Sequence, residues 1–61
     1  GPIARGDGTT VEGHLAALKD VGELPLELYR KLGLYTVGLA LDRGSISIEQ
    51  SQILEQMLKE A

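Results

Sequence analysis

An eight-residue pattern occurs twice in this chain, 22 positions apart: Asp20-Val21-Gly22-Glu23-Leu24-Pro25-Leu26-Glu27 and Asp42-Arg43-Gly44-Ser45-Ile46-Ser47-Ile48-Glu49. Both copies read Asp-x-Gly-x-aliphatic-(Pro/Ser)-aliphatic-Glu. Each element suits a junction between helices. Gly22 and Gly44 fit the left-handed position that closes a helix. Ser47 can cap the next helix, with Gln50 completing a capping box. Pro25 fits a first helical turn, where its missing N–H is not needed. Leu24 and Ile46 can fold back as hydrophobic staples, and Glu27 and Glu49 place negative charge near a helix N-terminus. Two such junctions divide the chain into three helices, expected over about residues 10–20, 25–42 and 47–60, in an all-α unit with antiparallel neighbours.

The first helix is expected to start at Thr9 as N-cap with Glu12 closing the box. Val11, Leu15 and Leu18 recur at helical spacing, as do Ile53, Leu54, Met57 and Leu58 in the third. Residues 1–8 hold three glycines and a proline and read as a flexible tail. Gly1-Pro2 matches the pair a site-specific protease leaves after removing a tag. Residues 9–61 then form a single domain. Arg5-Gly6-Asp7 matches the integrin-binding tripeptide, but three residues coincide by chance often. A competing reading makes residues 35–48 a β-hairpin, because Tyr35 to Leu41 and Ser45 to Ile48 alternate and Asp42-Arg43-Gly44 could turn. The repeat favours helices, since one kind of junction explains both copies.

The middle helix is the most informative element. Between Leu32 and Leu41 only Thr36 is polar, so apolar side chains point all round the helix rather than along one stripe. Leu28, Leu32, Tyr35 and Leu39 form one face; Leu34, Val37 and Leu41 form another. Gly33, Val37 and Ala40 make a low-profile strip where another helix could approach closely. A three-helix unit covers one side of its central helix, so the other side is expected to meet a second chain. Size points the same way, because a chain of about 60 residues buries only ~60% of its unfolded surface, and this one has no Trp or Phe. The expected assembly is a dimeric helical bundle, with Leu28, Leu32, Tyr35, Leu39, Ile53 and Met57 at the interface.

Chemistry-bearing patterns are sparse. The absence of cysteine excludes a disulfide scaffold and a thiolate zinc site. His14, the sole histidine, has no acid, base or nucleophile at a recognisable spacing and reads as a boundary residue. The carboxylates fall mostly at helix ends, with no EF-hand pattern. Neither G-x-x-x-x-G-K nor G-x-G-x-x-G occurs. No catalytic, cofactor or metal site is therefore expected. A net charge of −3, with its six basic residues dispersed, makes nucleic acid an improbable partner. No apolar run approaches the ~20 residues of a membrane span. Nothing resembles a signal peptide, and a cytoplasmic setting is expected.

One stretch resembles a known family. Leu24-Pro25-Leu26-Glu27-Leu28-Tyr29-Arg30-Lys31-Leu32-Gly33-Leu34 is similar to the hinge of AbrB/MazE-type swapped-hairpin DNA-binding domains. Those read aliphatic-Pro-x-Glu-aliphatic-Arg-x-x-Leu-Gly-aliphatic before a hairpin, which Leu41 to Glu49 could supply. Tyr29 stands where that family has Arg, its Gly-Asp turn is missing, and a helical pattern precedes Leu24. The resemblance implies a small dimeric regulator or antitoxin. The residues themselves favour a helical interaction module, either a homodimerisation domain or a docking domain that binds a helical segment of another protein in a larger assembly.

Overall fold

The computed structural model describes all 61 residues. Three helices follow one another: α1 (Gly8–Val21), α2 (Glu23–Asp42) and α3 (Ile48–Glu60). There is no strand, so the hairpin over residues 35–48, and with it the swapped-hairpin alternative, is corrected. Gly38 costs a helix about 1 kcal/mol relative to Ala. Burial of Val37 and Ala40 on the same helix offsets that cost.

The second junction behaves as its residues predict. Gly44 adopts φ +73°, the left-handed conformation that favours glycine. Its N–H donates to the Leu41 carbonyl, and the Ser45 N–H donates to the Ala40 carbonyl, both at 3.0 Å. That pair of bonds is a Schellman closure of α2. Ser47 then caps α3: its Oγ accepts from the Gln50 N–H at 3.0 Å, and Gln50 Oε1 accepts from the Ser47 N–H at 2.8 Å. Ile46, just before the cap, is buried in the core.

The first junction is tighter. Gly22, at φ +151°, is the single residue between α1 and α2. Pro25 is thus the third residue of α2, still within the turn where no N–H is required. Leu24 lies on the helix itself and is exposed, so it is not a staple. The two copies of the repeat therefore build junctions of different length.

The N-terminal segment departs most from expectation. It folds into turns, with the Gly6 N–H donating to the Ile3 carbonyl at 3.0 Å and the Asp7 N–H to the Pro2 carbonyl at 2.8 Å. Asp7, not Thr9, caps α1: its carboxylate accepts from the Thr10 N–H at 3.1 Å and the Thr10 hydroxyl at 2.6 Å. A charged cap with two donors prevails over a neutral one, and these bonds hold the Asp7 carboxyl below the usual carboxylate range. Arg5 pairs with Asp7 at 3.4 Å, which turns the Arg-Gly-Asp tripeptide in on itself.

The core is Val11 and Leu15 of α1, Val37 and Ala40 of α2, Leu54 and Leu58 of α3, and the two flanking residues Ile3 and Ile46. The one buried polar side chain, Ser51, donates to the Ile48 carbonyl at 2.7 Å. The strip of Gly33, Val37 and Ala40 is buried inside this protomer, where α3 occupies the close approach expected of a second chain. A methyl group built at Gly33 would lie 2.9 Å from Leu58 Cδ2 and 3.4 Å from Ile3 Cδ1. Arg30 fastens α2 to the end of α3. Its Nη2 donates to the Lys59 carbonyl at 2.7 Å, its Nε donates to the Leu58 carbonyl, and its Nη1 pairs with Glu27. A cation on the last carbonyls of a helix also suits the helix dipole.

Ile3 is only 7% exposed, so it anchors the segment expected to be a flexible tail. Ile3→Ala is expected to lower unfolding stability by about 2 kcal/mol, the lower end for truncating a buried aliphatic residue. Urea denaturation at fixed protein concentration checks this. A flexible residue would leave the midpoint where it is.

Candidate protein-protein interface

A 20-residue helix at 1.5 Å per residue is about 30 Å long, which nearly matches the molecule's longest extent of 33 Å. Each face of α2 therefore runs the length of the protein. Gly33, Val37 and Ala40 turn inward. On the opposite side, Leu28 is 62% exposed, Leu32 and Tyr35 are each 67% exposed and Leu39 is 40% exposed. These residues recur at steps of four, three and four, the seam spacing of a coiled coil. Leu24, exposed and one turn before Leu28 on the same helix, extends the apolar face toward the α1 junction.

The two flanks of the seam differ. On one, Lys31 is solvent-exposed and nothing lies within 4 Å of a Cβ built at Gly38. This flank is open to an approaching helix. On the other, Tyr29 and Thr36 face a cleft of about 220 Å³ that Pro2, Ile3, His14 and Leu32 also line. His14 Nδ1 and the Tyr29 hydroxyl are hydrogen-bonded at 3.0 Å, with their rings edge to face at 5.7 Å. Burial pushes the Tyr29 phenol up from its ordinary value. This pair braces α1 against α2, and Tyr29 is the only side-chain hydrogen-bond partner of His14.

The six residues expected at the interface fall into three groups. Leu28, Leu32, Tyr35 and Leu39 form one continuous exposed seam on α2. Ile53 is exposed on α3, where three of its four neighbours one turn away, Glu49, Gln50 and Gln56, are polar and the fourth, Met57, is half-buried, so it forms no continuous apolar face. Single exposed aliphatics are normal on protein surfaces. Met57 is half-buried against the core, with its Cε 3.1 Å from a Cβ built at Gly8, and it belongs to internal packing. Leu24 was not anticipated as part of the face. Its spacing to Leu28 was the available signal, hidden because Leu24 also fits a staple.

Elsewhere Leu41 and Ile48 are also exposed, and four of the six basic residues pair with carboxylates of the same chain. Glu27 lies 4.0 Å from Lys31, and Glu55 lies 3.8 Å from Lys59. No group of three or more His, Cys, Asp or Glu side chains could hold a metal ion. No helix is long and apolar enough to cross a membrane.

Fold and surface together define a small all-α, three-helix protein with an extended apolar face on its central helix. No family model, curated protein or solved structure matches the chain.

Proposed function

We propose that this protein is a protein-protein interaction module that homodimerises through the outer face of α2. The observation that carries the reading is the continuous seam of Leu28, Leu32, Tyr35 and Leu39, exposed on a protomer with only eight buried apolar residues. Contiguous apolar surface of this kind marks interaction sites on soluble proteins. Its central position and its tyrosine fit the anatomy of interface hot spots. The mechanism is burial of matched apolar faces, with no catalytic step and no cofactor.

The basic residues favour protein over nucleic acid as the partner. Arg5, Arg30, Lys31 and Lys59 all have carboxylate neighbours, and Arg30 also caps α3. A phosphate backbone would have to displace those partners.

Sedimentation equilibrium over a wide concentration range tests the reading. The expected mass is twice the 6.5 kDa of the protomer, and it should persist at high salt because apolar burial is not screened. A protomer mass at the highest concentrations would overturn homodimerisation.

A further inference from the structure

We infer that the two α2 helices of the dimer run antiparallel, so that Leu39 of one copy packs on Leu28 of the other and Tyr35 packs on Leu32. This rests on the homodimer reading above and adds the orientation of the partner.

Spacing makes such a pairing possible. Steps of four, three and four read the same in both directions along α2. A two-fold axis between Leu32 and Tyr35 therefore superposes the seam on itself, as an isologous interface requires. Tyr35 of the second copy then lies over Leu32, at the rim of the cleft beside His14 and Tyr29.

Charge selects this direction over the parallel one. Asp20, Glu23 and Glu27 cluster where α2 begins, and Asp42, the last residue of α2, falls on the seam three residues beyond Leu39. In a parallel pair Asp42 meets Asp42 across the seam. In an antiparallel pair Asp42 comes opposite the uncharged Pro25. Lys31 contributes as well. Side chains on a helix lean toward its N-terminus, so the Lys31 stem runs across the bare backbone at Gly38 of the second copy toward its Asp42. Gly38 leaves that path open, with no atom within 4 Å of its Cβ position. The helix dipoles also oppose one another in this arrangement and reinforce one another in the parallel one.

Disulfide trapping tests the direction on a chain that has no native cysteine. Lys31→Cys and Gly38→Cys change positions that are open to solvent and leave the apolar seam intact, and in a mixed dimer the copy carrying Gly38→Cys keeps its Lys31 while both copies keep Asp42. The two variants are mixed, equilibrated in a glutathione redox buffer and analysed by mass spectrometry, with sedimentation on the reduced mixture. The antiparallel dimer places residue 31 of one copy opposite residue 38 of the other. Its homotypic positions are seven residues out of step, about 10 Å apart along the axis and beyond the reach of a disulfide. The 31–38 product should exceed both homotypic products by about tenfold or more. A mixture of Lys31→Cys with Thr36→Cys serves as the parallel probe, because residues five apart across the seam meet only in that orientation. A dimer that traps 31–36 in place of 31–38 overturns the antiparallel direction while leaving homodimerisation standing. A dimer that traps neither pair overturns the α2 seam as its interface. A protomer mass in the reduced mixture overturns both inferences.

Discussion

Leu32→Asp is expected to convert the dimer to protomers at concentrations where the unsubstituted chain is fully associated. In one protomer Leu32 is two-thirds exposed, so the substitution alone costs little there. In the dimer the same position sits in the seam, twice. Each copy loses the burial of a leucine, about 1.5–3 kcal/mol, and gains a carboxylate with no partner. The sum corresponds to a dissociation constant raised by about a thousandfold, or ~4 kcal/mol. Sedimentation equilibrium reads the effect directly, with far-UV circular dichroism at high concentration reporting whether helix is retained. Ile53→Asp is the matched control. It places the same charge at an exposed apolar residue that lacks a continuous seam, and the dimer mass should be unchanged. If both substitutions dissociate the dimer equally, the interface is not confined to α2. If neither does, the seam is not the interface.

That contrast between Leu32 and Ile53 shows how far the sequence could be read. The apolar face of Leu28, Leu32, Tyr35 and Leu39 was legible because four large residues at seam spacing cannot all be covered by two short neighbouring helices. Ser47, Gln50 and Gly44 were legible because caps and left-handed turns are local, decided by hydrogen bonds within a few residues. The small-residue strip was legible only as a place of close approach. Gly33, Val37 and Ala40 say that something comes near, and α3 or a second chain would leave the same mark. Ile3 and Asp7 were lost among glycines that suggest a mobile segment. Yet Ile3 is the one large apolar side chain ahead of α1, and a domain short of aromatic bulk draws it into the core. The repeat misled at its first copy. Gly22 can reverse the chain alone at φ +151°, so Glu23 and Leu24 join α2 and no loop matching residues 43–47 forms.

Leu58→Ala is expected to cause the largest loss of stability. Leu58 is fully buried and closes the core between α2 and α3 above the bare backbone of Gly33. Truncating a leucine at such a site costs about 2–5 kcal/mol. A domain of this length holds about 3–9 kcal/mol in all, so the variant should be partly unfolded at 25 °C. The same contact gives Gly33→Ala an unfavourable sign. Alanine favours a helix interior over glycine by about 1 kcal/mol, but its methyl group would meet Leu58 Cδ2 at 2.9 Å and Cδ1 at 3.1 Å. Leu58 is fully buried, so its side chain would have to shift within a packed core, and overpacking of this kind costs about 1–3 kcal/mol. Gly33→Ala is therefore expected to destabilise, whereas Gly38→Ala, which meets nothing within 4 Å, is expected to stabilise by up to about 1 kcal/mol. The double variant Gly33→Ala with Leu58→Ala separates packing from propensity. Once Leu58 is shortened, the new methyl group fills part of the space left behind, and alanine's helix preference is no longer opposed. The double variant should be more stable than the sum of the singles predicts by about 1–3 kcal/mol, the range for residues in direct contact. Urea denaturation of the four proteins at one concentration measures the coupling. Strict additivity would mean that α3 does not pack on Gly33, and the small-residue strip of α2 would again be free to receive a second chain.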